Sequence, residues 1–225
     1  MNRLATSAGY LDRAEKLLLQ PDASSLVYAA FELRCGVEAR MQEYASHSNT
    51  ISKRQSNDWR IRHLARTIDS AFRLGDTMLI LSVNLKSGGV ARFLYAPVSS
   101  RLQKIAERCG DYLHARQVQD EQTQERWDEL REMLIEGCGL LSFSCSGELV
   151  QPNVDDELHF ILEAGDSRIE AVRALQEGTH EGVTLFNFTP TGPPTWVVGD
   201  EVQTTPAPEV QWEFIEGDPL FYKGR

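Results

Sequence analysis

An arginine and a histidine with five residues between them stand in the segment Arg108-Cys109-Gly110-Asp111-Tyr112-Leu113-His114, whose apolar spacing reads as a helix. A histidine can exchange protons with a ribose 2′-hydroxyl or a leaving 5′-oxygen. A permanently charged arginine can hold a scissile phosphate and the charge that develops on it. If Leu102, Ile105, Ala106, Cys109 and Leu113 form the buried stripe of a regular helix, Arg108 and His114 project about 120° to opposite sides of it. They meet only if Gly110 distorts the helix or if two copies come together. The plain alternative, a surface arginine and a packing histidine, stays open. Arg40 and His47 are seven apart and fit the same formula. Their face lies opposite the expected apolar stripe of their helix and reads as solvent-facing.

Two further groups carry charge in informative places. Lys53, Arg54, Arg60, Arg62 and Arg66, with Trp59 among them, form the most basic stretch of the chain. Such residues suit salt-sensitive phosphate contacts, with the tryptophan stacking on a base; the alternative is a solvated helix face with the tryptophan in the core. Arg34 and Glu38 fall within about 20° of a line through Val27, Phe31, Met41 and Ala45. Their i, i+4 spacing suits a structural ion pair inside the bundle.

Composition narrows the classes. The 225 residues carry a net charge of −10, unevenly placed. Residues 1–120 hold 17 Lys+Arg against 12 Asp+Glu, and residues 121–225 hold 6 against 21. This split fits a nucleic-acid surface in the first half and a solvated or partner-facing second half, or simply two soluble units. Cys35, Cys109, Cys138 and Cys145 form no C-x-x-C pair and read as buried thiols of a reducing cytoplasm, with no metal site and no cofactor. No apolar run suits a membrane span, and no Gly-rich phosphate loop or nucleophile elbow is present.

The periodicity predicts helices at about 8–19, 23–46, 58–74, 100–117 and 121–136, the last stopping at Gly137-Cys138-Gly139. Asn57 or Asp58 is the expected cap of the third, and Ser100-x-x-Gln103 reads as a capping box. β-favouring runs at 78–83 and 90–95 predict an inserted hairpin. Runs at 140–144, 158–162, 183–188, 196–198 and 210–215 predict strands, with a short helix at 167–177 and a Pro-rich stretch at 189–208. The expected fold is α+β: an N-terminal helical bundle with an inserted β-hairpin over residues 1–139, then a smaller, acidic, β-rich domain over 140–225.

The Glu32-Leu33-Arg34…Glu38 helix and the later Gly110-x-Tyr112-Leu113-His114 segment together resemble the HEPN superfamily (higher eukaryotes and prokaryotes nucleotide-binding), over about residues 8–117. The resemblance implies a bacterial helical domain that dimerises and acts on RNA. Arg108 and His114 would be the catalytic pair of a metal-independent endoribonuclease, in phage defence or a toxin–antitoxin system. Cys109 departs from the polar residue that many members carry after the arginine. The competing expectation is a non-enzymatic module that homodimerises through its helices and docks a protein partner on its acidic β domain.

Overall fold

The computed structural model describes residues 6–113, 123–152, 158–162 and 164–188. Among them the element order is α1 (Ser7–Leu18), α2 (Ala23–His47), α3 (Lys53–Ser56), α4 (Ile61–Phe72), β1 (Met78–Asn84), β2 (Val90–Tyr95), α5 (Ser100–Tyr112), α6 (Gln124–Cys145), β3 (Leu149–Gln151), β4 (His159–Phe160), α7 (Ile169–Glu177) and β5 (Gly182–Phe188). The mixed α+β class expected from the pattern is what the chain adopts.

Capping residues set most helix starts. Thr6, Asp22, Ser52, Ser99 and Thr123 each accept a backbone N–H of the following turn, which satisfies donors that the helix itself cannot. At α5 the cap is Ser99, one residue earlier than expected, and Asp76 Oδ1 accepts from Ser100 N at 2.7 Å. α4 starts later than expected, at Ile61, and its N-cap residue, Arg60, makes no side-chain cap hydrogen bond. The full capping box lies upstream instead, between Ser52 and Gln55 of the short helix α3.

α2 is the axis of the bundle, with α1, α4, α5 and α6 packed around it. Its buried side is Leu26, Ala29, Ala30, Leu33, Val37, Met41, Tyr44 and Ala45. The stripe expected through Phe31 is therefore rotated, and Phe31 is 47% exposed. Apolar residues lie almost all round this helix, so its composition did not single out one face. Gly137 and Gly139, expected to end a helix, lie within α6, and the strand expected at 140–144 is helix. A Cβ on Gly137 would sit 2.5 Å from Leu33 Cδ2 and 2.9 Å from Ile105 Cγ2. That glycine lets three helices approach closely; it does not punctuate the chain.

β1 is the centre of an antiparallel sheet in the order β2-β1-β5. The register places Leu81 beside Phe93 and Leu185, and Val83 beside Ala91 and Val183, so one face is apolar apart from Asn187, opposite Leu79. Tyr95 at the end of β2 meets Tyr44 at 5.3 Å and Phe72 at 6.0 Å between ring centroids, which joins sheet to bundle. β5 completes the sheet begun by the inserted hairpin, and the expected domain boundary after residue 139 falls inside α6. The outer edge of β2 is capped by side chains. Leu94 N donates to Glu148 Oε2, and Arg168 Nη1 donates both to the Arg92 carbonyl and to Glu148 Oε1. Natural sheets protect their edges with charge in this way.

Candidate nucleic-acid interface

The α3–α4 corner is built on a turn that Asp58 organises. Its carboxylate accepts from Arg60 N at 2.9 Å, Arg60 Nε at 3.0 Å and Arg60 Nη2 at 2.8 Å, with His63 Nδ1 at 3.3 Å. Hydrogen bonds from the Arg60 side chain and backbone hold this carboxyl far below the usual carboxylate range. The Asp58 carbonyl in turn accepts from Gln42 Nε2 on α2. Trp59 is therefore fixed by its backbone neighbours, while its side chain is 64% exposed. The tryptophan is on the surface and outside the core, so a large flat ring is presented to solvent.

The basic residues lie on the two helices that flank it, α3 and α4. α4 buries Ile61, Leu64, Ala65, Ile68 and Phe72, and this leaves Arg62 and Arg66 outside. Lys53 and Arg54 are exposed on α3. Arg60 is paired with Asp58, and Arg62 with Glu107 of α5 at 3.2 Å. Lys53, Arg54 and Arg66 have no acidic partner among the described residues. Asp58 and Glu107 are thus already engaged, while Asp69, three residues after Arg66 on α4, is exposed and forms no ion pair among the described residues. Arg108 directly follows Glu107 and is exposed on α5. His114 lies outside the described residues, so the distance between these two is not defined.

Arg34 and Glu38 do not form the expected ion pair. Arg34 Nη1 donates to the Ala106 carbonyl of α5 at 3.0 Å, and Glu38 Oε1 accepts from Gln42 Nε2 at 3.3 Å. Gly110 permits the Arg34 contact, since a Cβ there would lie 3.1 Å from Arg34 Nη1. Partial burial pushes the Glu38 carboxyl up, with nearby Arg34 pulling against it.

The buried arginine is Arg40, expected to face solvent and in fact 3% exposed. Its Nη2 donates to the carbonyls of Ser144 at 2.7 Å and Gly147 at 2.6 Å, and its Nη1 to Glu43 Oε2 at 3.0 Å. Those carbonyls close the C-terminal end of α6, where a cation offsets both unsatisfied acceptors and the helix dipole. Tyr44 donates to the Ala96 carbonyl beside it, and the Arg40 guanidinium stacks over the Tyr44 ring at 4.5 Å. Its i+3 glutamate was visible in the sequence, but nothing local distinguished Arg40 from an exposed arginine. His47, the partner proposed for it, has Nδ1 on the Glu43 carbonyl at 2.7 Å and its ring beside His159.

The four cysteines are free thiols. Burial pushes Cys109 up to about 12 and raises the other three as well, which leaves little thiolate for nucleophilic or metal chemistry. Among the described residues no three His, Cys, Asp or Glu side chains assemble as a donor set. Nor is any described helix long and apolar enough to cross a membrane. No protein-family model matches the chain, and neither does any curated protein or solved structure.

Proposed function

We propose that this chain is an HEPN-like RNA-binding protein whose α3–α4 corner takes single-stranded RNA. The observation that carries this reading is the exposed Trp59 on a braced turn between α3 and α4, which carry Lys53, Arg54 and Arg66 without an ion-pair partner among the described residues. Phosphates replace counterions at the three free cations, and a base stacks on the indole, a combination that tolerates many sequences. Arg60 and Arg62 contribute after exchanging a carboxylate partner for phosphate. The test is binding of a fluorescent single-stranded RNA across a salt series. Affinity that falls steeply with salt supports the reading, and no binding at low salt overturns it.

The reading extends to cleavage through Arg108 and His114, on the strength of their sequence spacing alone. As the ribose 2′-hydroxyl gives its proton to the His114 imidazole, its oxygen attacks the adjacent phosphorus, the bond to the 5′-oxygen breaks, and that oxygen takes a proton from water or from the imidazolium. The products are a 2′,3′-cyclic phosphate and a 5′-hydroxyl. Cutting that continues in excess EDTA, and that Arg108→Ala and His114→Ala each abolish, is the expected result. Intact RNA after incubation with the wild-type chain removes the endoribonuclease, and with it a toxin or phage-defence role based on cutting.

A second reading, an interaction module that homodimerises through its helices, has its own observation. Tyr28 is 64% exposed and Phe31 47% exposed on α2, beside half-buried Arg34 and Glu38 that are not paired with each other. A two-fold interface across this strip would set Arg34 against the partner's Glu38, as isologous contacts require. Sedimentation should show a dimer that Arg34→Glu dissociates and that added Glu38→Arg restores. A monomer at all concentrations rejects it. Docking of a protein partner on the acidic C-terminal part belongs to the same reading.

A further inference from the structure

Resting on the single-stranded RNA reading of the α3–α4 corner, we propose that the chain's own acidic, aromatic C-terminal segment, residues 209–221, docks on that corner and competes with RNA. The two sides match in chemistry. Lys53, Arg54 and Arg66 are exposed on the two helices that flank an exposed indole, and none has a carboxylate partner among the described residues. The sequence Glu209-Val210-Gln211-Trp212-Glu213-Phe214-Ile215-Glu216-Gly217-Asp218-Pro219-Leu220-Phe221 alternates carboxylates with aromatic and aliphatic side chains. A single-stranded nucleic acid presents the same two features, negative charges at intervals and flat rings between them. Carboxylates take the places of phosphates, and a ring of this segment takes the place of the base on Trp59. The charge is local to the segment: it holds four acidic residues and no basic one.

Covalent geometry permits the contact. The described chain ends at Phe188, and 20 residues, 189–208, lie between it and Glu209. A chain of that length reaches up to about 70 Å. A folded unit of 188 residues is only roughly 40 Å across. A tethered segment acts at an effective concentration on the order of millimolar, so even weak ionic contacts compete with RNA at the lower concentrations of a binding assay. The same charges that draw it in are screened by salt, so the competition weakens as ionic strength rises.

Two measurements on the full chain test this. Zero-length carbodiimide coupling joins an amine to a carboxylate in contact with it. Peptide mapping should find Lys53 joined to Glu209, Glu213, Glu216 or Asp218 at low salt, and not at about 0.5 M salt, where the Debye length is only a few ångströms. The second measurement compares the affinity of the wild-type chain for a fluorescent uridine oligomer of about 12 nucleotides with that of the full chain carrying E209Q, E213Q, E216Q and D218N. Removing the competitor should tighten binding roughly tenfold at low salt. Neutralising four exposed carboxylates of α6 instead (E125Q, D128N, E129Q and E132Q) changes net charge equally and should have a much smaller effect. Equal gains from the two sets, or Lys53 coupled to no residue of the segment, overturn the inference and leave the RNA reading standing. If no form of the chain binds the oligomer, the RNA reading falls, and the Lys53 coupling alone decides whether the contact exists.

Discussion

Trp59 and Arg40 illustrate how differently two conspicuous residues of one bundle are used. Trp59 holds no part of the core, so its removal separates binding from folding. Trp59→Ala should weaken single-stranded RNA binding by about 1–3 kcal/mol, the range for one base–aromatic stack, and leave the melting temperature almost unchanged. A large loss of stability with binding intact would mean that the ring packs against the protein. Arg40 is the reverse case. It joins α2 to the carbonyl end of α6, and its removal leaves those acceptors and the Glu43 carboxylate short of a partner. Arg40→Ala should cost about 3–5 kcal/mol in urea unfolding, and a loss below about 1 kcal/mol would show water replacing the guanidinium. Glu38 supplies a pH test. Burial raises its folded pKa, so its charged form weighs against the fold above that pKa, and the penalty is relieved as pH falls through it. Glu38→Gln should therefore raise the melting temperature slightly at neutral pH and lose its advantage in acid. A destabilised variant at neutral pH would instead point to Glu38 being paired across a dimer.

At the scale of elements, close approach decides more than propensity does. Alanine favours a helix over glycine by about 1 kcal/mol, so an exposed Gly137 would gain from the change. Here the new Cβ meets Leu33 and Ile105, on two neighbouring helices, at less than contact distance. Gly137→Ala should therefore destabilise by about 1–3 kcal/mol, the usual cost of overpacking, and thermal melts of the single variant decide the sign. Gly147 is held by the same kind of constraint, since a Cβ there would lie 2.8 Å from the Ala96 backbone nitrogen. The Glu148–Arg168 pair gives the edge of β2 a charged cover in place of another strand.

For the whole molecule, the important connection is β5 onto β1. Seven residue pairs in register, Met78–Phe188 to Asn84–Gly182, tie residues after 180 to the sheet that begins at residue 78. α6 also continues past residue 139, where the first of two domains was expected to end. A chain cut at 139 would lose the end of α6, the carbonyls that Arg40 binds and one flank of β1. Residues 1–139 expressed alone should lack the cooperative unfolding transition of the full chain, as followed by circular dichroism. A sharp, two-state melt of that fragment would establish an independent N-terminal domain.

The sequence alone determined the alternation of helices with a hairpin, the positions of α1, α2, β1, β2, α7 and β5 to within a few residues, and the basic stretch around Trp59. These are local matters of spacing, turn residues and charge runs, and they survive whatever the neighbours do. Tertiary packing decided the rest. It chose which side of α2 is inside, because apolar residues surround that helix and only its partners distinguish one face. It buried Arg40 through carbonyl groups more than a hundred residues away, which no window of sequence contains. It also turned Gly137 of α6 from an expected stop into a point of contact, since a missing side chain has one meaning in an isolated helix and another against two packed neighbours.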